Sequence, residues 1–559
     1  LKAWFSSDKI AAWLPFLMLF LVFPLALTLH NQEELSHPLG HYLVIYFSFA
    51  IVSYLLLVLL LRYLLPTSSK ELISVLMFLL GMFILISDIV APLRLDSFDD
   101  LSGIGKIKVL PLDFIFEFFV GIALLFCLRV KRDWLFKIGS IITIYFFVSQ
   151  VAVWAHAVST KDDAPENKDL AQQLKGNTTV ESKGNIYHFI FDTYGPGFLE
   201  HLSAIKGAQE SFNGFVYFKK NLTNSDYTQI SVPIIWSGHT FLDSDLSISA
   251  WRQTGFMSQG PLVDFHKSGY TIYEYQTKYR HRLADHTVHG NDLKAKIFEI
   301  GDDEFGPWNI MDLSILRAAP TFLQNYIFYK GDGPLSNLRF AFAKTKKLSG
   351  NFVRAPLAVA VLQKFLAEEP SRSNSGNYVL AHISLPHDPY VVTRKCTTNF
   401  TATTYDDQAI CAVRFMVEII KTLKAEGRYE DSTIIFQGDH GPVLSKRERK
   451  QKGIVFLKGP KTLLLIKPPN SSDLPMEISE IQSQSLDIAP TLYALTGVSH
   501  DQKMELAGEN LFSNHVNKSR EIHIYSYRRP YNNRTEELMH WSFVDGIGFK
   551  KYQNILPKM

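Results

Sequence analysis

Apolar residues are not spread evenly along this chain. Five long apolar runs, at about 10–30, 42–65, 71–92, 108–128 and 133–155, fill its first part, and no run of comparable length follows. Each approaches the ~20 mostly apolar residues that a helix needs to cross the hydrocarbon layer of a membrane. One such run could be a buried core helix, but five in succession predict a transmembrane bundle over residues 1–157. The first run is too long for a removable leader and is not followed by a cleavage pattern. Charge in the connecting segments orients the bundle. Lys2 and Lys9, then Arg62 and Lys70, then Arg129, Lys131, Arg132 and Lys137 fall on alternate turns. The intervening turns are "HNQEELSHPLG", without Lys or Arg, and the mainly acidic "RLDSFDDLSG". Basic residues stay on the cytoplasmic side. The N-terminus is therefore expected inside, and everything beyond about residue 155 outside. Asp88, Asp113 and Glu117 lie towards the outer ends of the third and fourth runs. They could meet a lipid headgroup or simply end their helices.

Beyond the fifth run the pattern changes. Residues 158–184 are polar and read as a linker, with a short surface helix at 167–175. Strand-like runs follow at 185–191, 214–218, 270–275, 378–384, 432–436 and 462–467, alternating with helical periodicity at 352–369 and 405–426. That alternation predicts an α/β domain with a mostly parallel central sheet over 185–515. Residues 285–350 show no clear period, and 516–559 are expected to pack on the domain as a C-terminal segment.

Composition sharpens the division. The chain is 47% hydrophobic with 41 Phe and only 20% charged residues. Its net charge of +3 does not by itself argue for or against an anionic partner. A membrane is the expected partner and nucleic acid is not. Of the three cysteines, Cys127 falls in the fourth run, leaving Cys396 and Cys411 in the outer part. In an oxidising compartment these two would form one disulfide, with two buried thiols as the alternative.

The segment "FQGDHGPV", 436–443, ends a strand-like run in an aspartate and a histidine held between glycines. It is either a plain polar turn or a place where oxygen and nitrogen ligands meet one metal ion. In open α/β sheets, ligands bind beyond the carboxyl ends of the strands. Three of those ends carry suitable side chains: Asp192 in "IFDTYG", His387 in "LPHDPY", and Asp439 with His440. His188 and His382 lie inside strands and read as core residues.

In this order and spacing the segments resemble the alkaline phosphatase/sulfatase superfamily. "NIYHFIFDTYG" is similar to its opening strand and first metal carboxylate, "HISLPHDPY" to its His-Pro-Tyr segment, "STIIFQGDHG" to its second metal element, and "SLDIAPTLYALTGV" to the helix that follows. The resemblance covers about 184–515. It implies a nucleophile about ten residues before Gly238, which lands on Thr228 in "YTQISVPIIWSG". Membrane-bound phosphoethanolamine transferases share the Thr-x-x-Ser-x-Pro pattern formed here by Thr228, Ser231 and Pro233. Sulfatases use a Cys/Ser-x-Pro-Ser-Arg signature, which is absent. Five spans before an outer catalytic domain also resemble lipoteichoic acid synthases. The resemblance implies one divalent ion on Asp192, Thr228, Asp439 and His440, zinc or manganese, with magnesium also compatible.

Thr228 would attack a phospholipid donor, with Ser231 and Pro233 starting a helix and His387 protonating the leaving oxygen. His239 and Ser231 would line the substrate pocket. The implied activity transfers phosphoglycerol or phosphoethanolamine to an envelope glycan or lipid, outside a bacterial-type inner membrane. The alternatives are a phosphodiester hydrolase and an inactive lipid-binding or sensing relative. One departure stands out: residues 443–470 lack the further histidine that ethanolamine transferases typically carry there.

Overall fold

The computed structural model describes residues 6–30, 39–90, 111–126, 131–163, 183–240, 260–277, 284–290, 293, 307–320, 323–324, 335, 350–399, 403–444, 459–500, 506–513, 520–528, 537–544 and 548–555. They divide into two units. One comprises 1–164, 301–347 and 530–534, and the other comprises the rest. Cys127, the Asp113 side chain and the helix expected at 167–175 lie outside the described residues.

Helices make up the first unit. Leu39–Leu64, Ser69–Asp88 and Arg132–Val153 are long and apolar enough to cross a membrane, while Leu14–Leu29 and Ile115–Phe126 are shorter apolar helices. Among the described residues, three of the five expected runs thus reach spanning length. Their outer faces carry exposed Val44, Leu56, Ile141 and Tyr145, an apolar surface of the kind that lipid covers. Small residues let the helices approach closely. A Cβ on Gly81 would stand 2.8 Å from Leu14, and one on Gly139 would stand 2.7 Å from Ala11. The last helix continues to Asp163, past the expected end near 155.

Residues 301–347 were expected within one continuous outer domain, yet they group with these helices. The reason is the helix Pro307–Ala318. Its Ile310, Met311, Leu313 and Leu316 are buried with Leu17, Leu21, Tyr42 and Tyr46. Arg317 meets Asp88 in a bidentate pair, Nε to Oδ1 at 2.5 Å and Nη2 to Oδ2 at 2.9 Å. Its guanidinium also lies 4.8 Å from the Phe23 ring centroid. Asp88 is thus an ion-pair partner, and Glu117 is buried.

The second unit is built on an eight-stranded sheet of order β4-β3-β5-β1-β6-β7-β2-β8. The strands are β1 Ile186–Phe191, β2 Val216–Phe218, β3 Thr271–Gln276, β4 His286–His289, β5 Asn377–Ile383, β6 Thr433–Gly438, β7 Leu464–Lys467 and β8 Glu477–Ser479. Only β7 runs against its neighbours. Central β1 pairs in parallel with β5 and β6 and is buried along its whole length, so its sequence is a continuous apolar run. On one face Phe189, Phe191 and Phe436 pack against the helices Gly350–Glu368 and Tyr405–Ala425. On the other, Ile190, Ile435 and Ile466 pack against Val232 and Ile235 of the helix Thr228–Ser237 and Leu492 of Ile488–Thr496. Cys396 is bonded to Cys411, tying a loop onto the helix Tyr405–Ala425.

Near the C-terminus, β9 Ile522–Arg528, β10 Glu537–Val544 and β11 Gly548–Ile555 form a separate antiparallel sheet. It is attached to the loop that leads into Thr228. The Tyr525 N–H donates to Asn224 O at 2.8 Å, and Ser526 Oγ donates to Asp226 Oδ2 at 3.0 Å.

Removing one partner of a largely buried ion pair strands the other charge. Asp88→Asn should therefore destabilise the detergent-solubilised protein by about 2–3 kcal/mol. Thermal unfolding checks this, and the exchanged pair Asp88→Arg with Arg317→Asp should recover part of the loss. An unchanged midpoint in Asp88→Asn would show that the pair contributes nothing.

Candidate metal centre

Parallel pairing brings the ends of β1, β5 and β6 to one level. Ile190 is in register with His382 on one side and Gln437 on the other. Asp192 follows β1 by one residue, and Asp439 follows β6 at once. The two carboxylates therefore emerge side by side, both buried. Ligand atoms of Asp192, His382 and Asp439 all lie within 4.8 Å of one another.

The glycines around Asp439 and His440 are explained by space. A Cβ on Gly438 would lie 2.1 Å from the Tyr194 carbonyl oxygen, and one on Gly441 would lie 2.7 Å from that of Gly459. Side chains at either position would push the Asp192 turn or the 459–461 backbone away from the pair. The DHG segment is a turn wedged between two other backbones.

His440 completes the cluster. Its Nδ1–H donates to Gly441 O at 3.0 Å, which leaves Nε2 as the acceptor in that tautomer. Nε2 lies 2.8 Å from Thr228 Oγ1, 3.3 Å from Asp439 Oδ2 and 3.7 Å from Asp192 Oδ1. Thr228 is the first residue of the ten-residue helix Thr228–Ser237, after Tyr227 in extended conformation. The leading N–H groups of a helix have no partners within it and attract anions. The helix is capped by Gly238, whose φ of 71° favours a glycine and where a Cβ would stand 2.7 Å from that of Ala489.

Asp192, Thr228, Asp439 and His440 thus stand together. His382, read from the sequence as a core residue, joins them. Nothing in its strand sets it apart, and only the pairing of β5 with β1, which sets it opposite Ile190 and near Asp192, exposes its place. Burial holds its imidazole below the usual range against the opposite pull of Asp192 and Asp439, which favours the neutral, ligating form. His188, by contrast, is a core residue beside the Tyr378 hydroxyl, and burial pushes it down to about 4.

His387 lies in the loop after β5, its Nδ1 beside the Asp388 carbonyl. Its carbonyl accepts from Gln408 Nε2 at 2.8 Å. His239 follows the far end of the Thr228 helix, about 15 Å along its axis, with its ring centroid 6.5 Å from that of His500. One expectation needs correction. Ser231 neither starts nor caps the helix. It lies inside it, buried, with Oγ 3.5 Å from the Thr228 carbonyl.

Two carboxylates, imidazole nitrogens and a hydroxyl at such distances form a donor set for a divalent ion of the zinc or manganese type. Carboxylates this close repel one another unless a cation or hydrogen-bond donors stand between them. The residues present fit the ion.

The chain is similar to solved structures of the alkaline phosphatase superfamily. One is a member of that superfamily from Vibrio parahaemolyticus, with 13% identity over 70% of this chain and 90% of the other, at a TM-score of 0.40. A phosphonate monoester hydrolase from Silicibacter pomeroyi shares 13% identity over 67% of this chain and 88% of its own, at 0.40. The integral membrane lipooligosaccharide phosphoethanolamine transferase A of Neisseria meningitidis shares 12% identity over 89% and 97%, at 0.36. No family model and no curated protein matches the chain.

If His382 contributes to the centre, His382→Ala should weaken zinc or manganese binding by about tenfold or more. Chelator competition on the purified protein measures this. Affinity equal to the parent would return His382 to the core.

Proposed function

We propose that this chain is a membrane-anchored, metal-dependent transferase. It moves phosphoglycerol or phosphoethanolamine from a phospholipid to an envelope glycan or lipid through a phosphothreonine intermediate. The observation that carries the reading is the Thr228 hydroxyl, 2.8 Å from His440 Nε2 at the start of a helix and beside two aspartates. A hydroxyl set among metal-ligand side chains can be activated as a covalent nucleophile. The Gly441 carbonyl holds the His440 ring with Nε2 towards Thr228.

In the proposed route Thr228 Oγ1, ionised with its proton released to solvent, forms a bond to the donor phosphorus. The bond to the diacylglycerol oxygen breaks, and that oxygen leaves with the electron pair and takes a proton from His387. The acceptor hydroxyl then attacks the phosphothreonine phosphorus, its proton passing to the His387 imidazole left neutral by the first step, and the bond from phosphorus to Thr228 breaks, returning the threonine oxygen in its ionised form. Helix N–H groups favour the phosphoryl oxygens in both halves. A divalent ion held by Asp192, Asp439, His440 and Thr228, with His382 beside them, would neutralise charge on a phosphoryl oxygen and ease ionisation of the threonine. Zinc or manganese suits these donors best, and magnesium is compatible.

The apolar helices support a lipid substrate. An anchored site sees a far higher effective concentration of membrane donors than of soluble ones. Five spans, a cytoplasmic N-terminus and an outer catalytic unit on a bacterial-type inner membrane remain the topology proposed from the charge pattern. An inactive sensor on the same scaffold would have no need of the whole nucleophile and ligand set. Hydrolysis would use the same intermediate with water as acceptor.

Incubation with headgroup-labelled phosphatidylglycerol and phosphatidylethanolamine should leave label on Thr228. Thr228→Ala should abolish the adduct and lower transfer by at least about 1000-fold, as loss of a covalent nucleophile does. Full activity in Thr228→Ala, or turnover of sulfate esters alone, would refute the reading. Release of free headgroup phosphate without transfer would identify a hydrolase.

A further inference from the structure

We propose that Thr193 is a positioning residue that holds Asp192 and Asp439 in one arrangement for the ion, an inference that rests on the metal-centre reading above. Two hydrogen bonds carry it. The Thr193 N–H donates to Asp439 Oδ1 at 2.9 Å, and its hydroxyl donates to Asp192 Oδ1, also at 2.9 Å. A single residue thus bridges the two carboxylates that any bound ion would share. The His440 N–H adds a second donor to Asp439 Oδ1 at 2.8 Å. These donors offset the mutual repulsion of the pair and fix which way each carboxylate turns.

Backbone conformation points the same way. Thr193 has φ of 70°, a left-handed value that is an outlier for a β-branched residue. Glycine would adopt it without strain. A threonine there is accounted for by its hydroxyl. Backbone outliers persist where the surroundings over-determine them, and here one phenol does so. Tyr405 Oη donates to the Thr193 carbonyl at 3.2 Å and accepts from the Gly195 N–H at 2.9 Å. It thereby spans both sides of the turn. Tyr194, between them, is bonded to His201 Nδ1 at 2.9 Å, and His201 Nε2 reaches Asp406 Oδ1 at 3.3 Å. Residues 405 and 406 open the helix that Cys411 ties to Cys396. The turn that presents Asp192 is therefore held from outside the site by a stapled helix.

The test compares Thr193→Val, Thr193→Ser and Thr193→Gly in the full-length protein, reading manganese and zinc affinity by chelator competition and the unfolding midpoint of the metal-free form. Valine keeps the β-branched shape and loses the hydroxyl. It should weaken ion binding about tenfold or more, as loss of a ligand's hydrogen-bond partner does, while serine stays within about threefold of the parent. Glycine relieves the φ yet should lose affinity as valine does, which separates the hydroxyl from the strain. Parent-like affinity in both valine and glycine, with binding lost in Asp439→Asn, would overturn the role of Thr193 and leave the metal centre standing. No binding by the parent would remove both.

Discussion

Two buried carboxylates at the ends of adjacent parallel strands are the constraint around which this unit is arranged. Asp192 and Asp439 are brought together by the register of β1 and β6, and like charges at that separation are costly in a dry site. Donors from Thr193 and His440 surround them. Backbone passes so close on two sides that only glycine suits positions 438 and 441. The Thr228 helix then sets its first hydroxyl against His440. Chemistry at this place needs few residues, but their positions depend on the whole sheet.

Support reaches the centre from distant parts of the sequence. The loop before Thr228 is pinned by Tyr525 and Ser526 of the C-terminal sheet. Arg520, just ahead of that sheet, meets Asp487 through Nη1 and Oδ1 at 2.9 Å. Asp487 in turn accepts from the Gln484 and Glu509 N–H groups at the head of the helix Ile488–Thr496. A segment with no recognisable motif therefore holds the loop before Thr228. In the other unit, an apolar helix with one arginine is fixed to Asp88 by the same logic of satisfied buried charge.

Legibility in the sequence followed burial on both faces. The strands β1, β5 and β6 are mostly apolar and buried throughout, and Asp192 and Asp439 stand just past the ends of β1 and β6, so the strands and those two site residues stood out. The edge strand β4, His286–His289, and the three-residue β8 are short and polar, and left no period to read. His382 was missed because a histidine within an apolar strand resembles a core residue until the register of β5 against β1 is known. Ser231 was taken for a helix start because Pro233 follows it, whereas the helix begins a turn earlier and carries the proline inside. His239 stands a helix length from Thr228 despite its nearness in sequence. Residues 307–318 were silent because their apolar stripe faces other helices rather than the sheet.

The central claim is that Asp192, Thr228, Asp439 and His440 surround one divalent ion. Anomalous scattering at the manganese or zinc edge from crystals of the full-length protein tests it most directly. The account predicts a single strong peak within about 2.0–2.3 Å of a carboxylate oxygen from each aspartate and of His440 Nε2, with Thr228 Oγ1 completing the coordination. A peak elsewhere, or Thr228 Oγ1 more than about 6 Å from the ion, far beyond any metal–ligand bond, would contradict it.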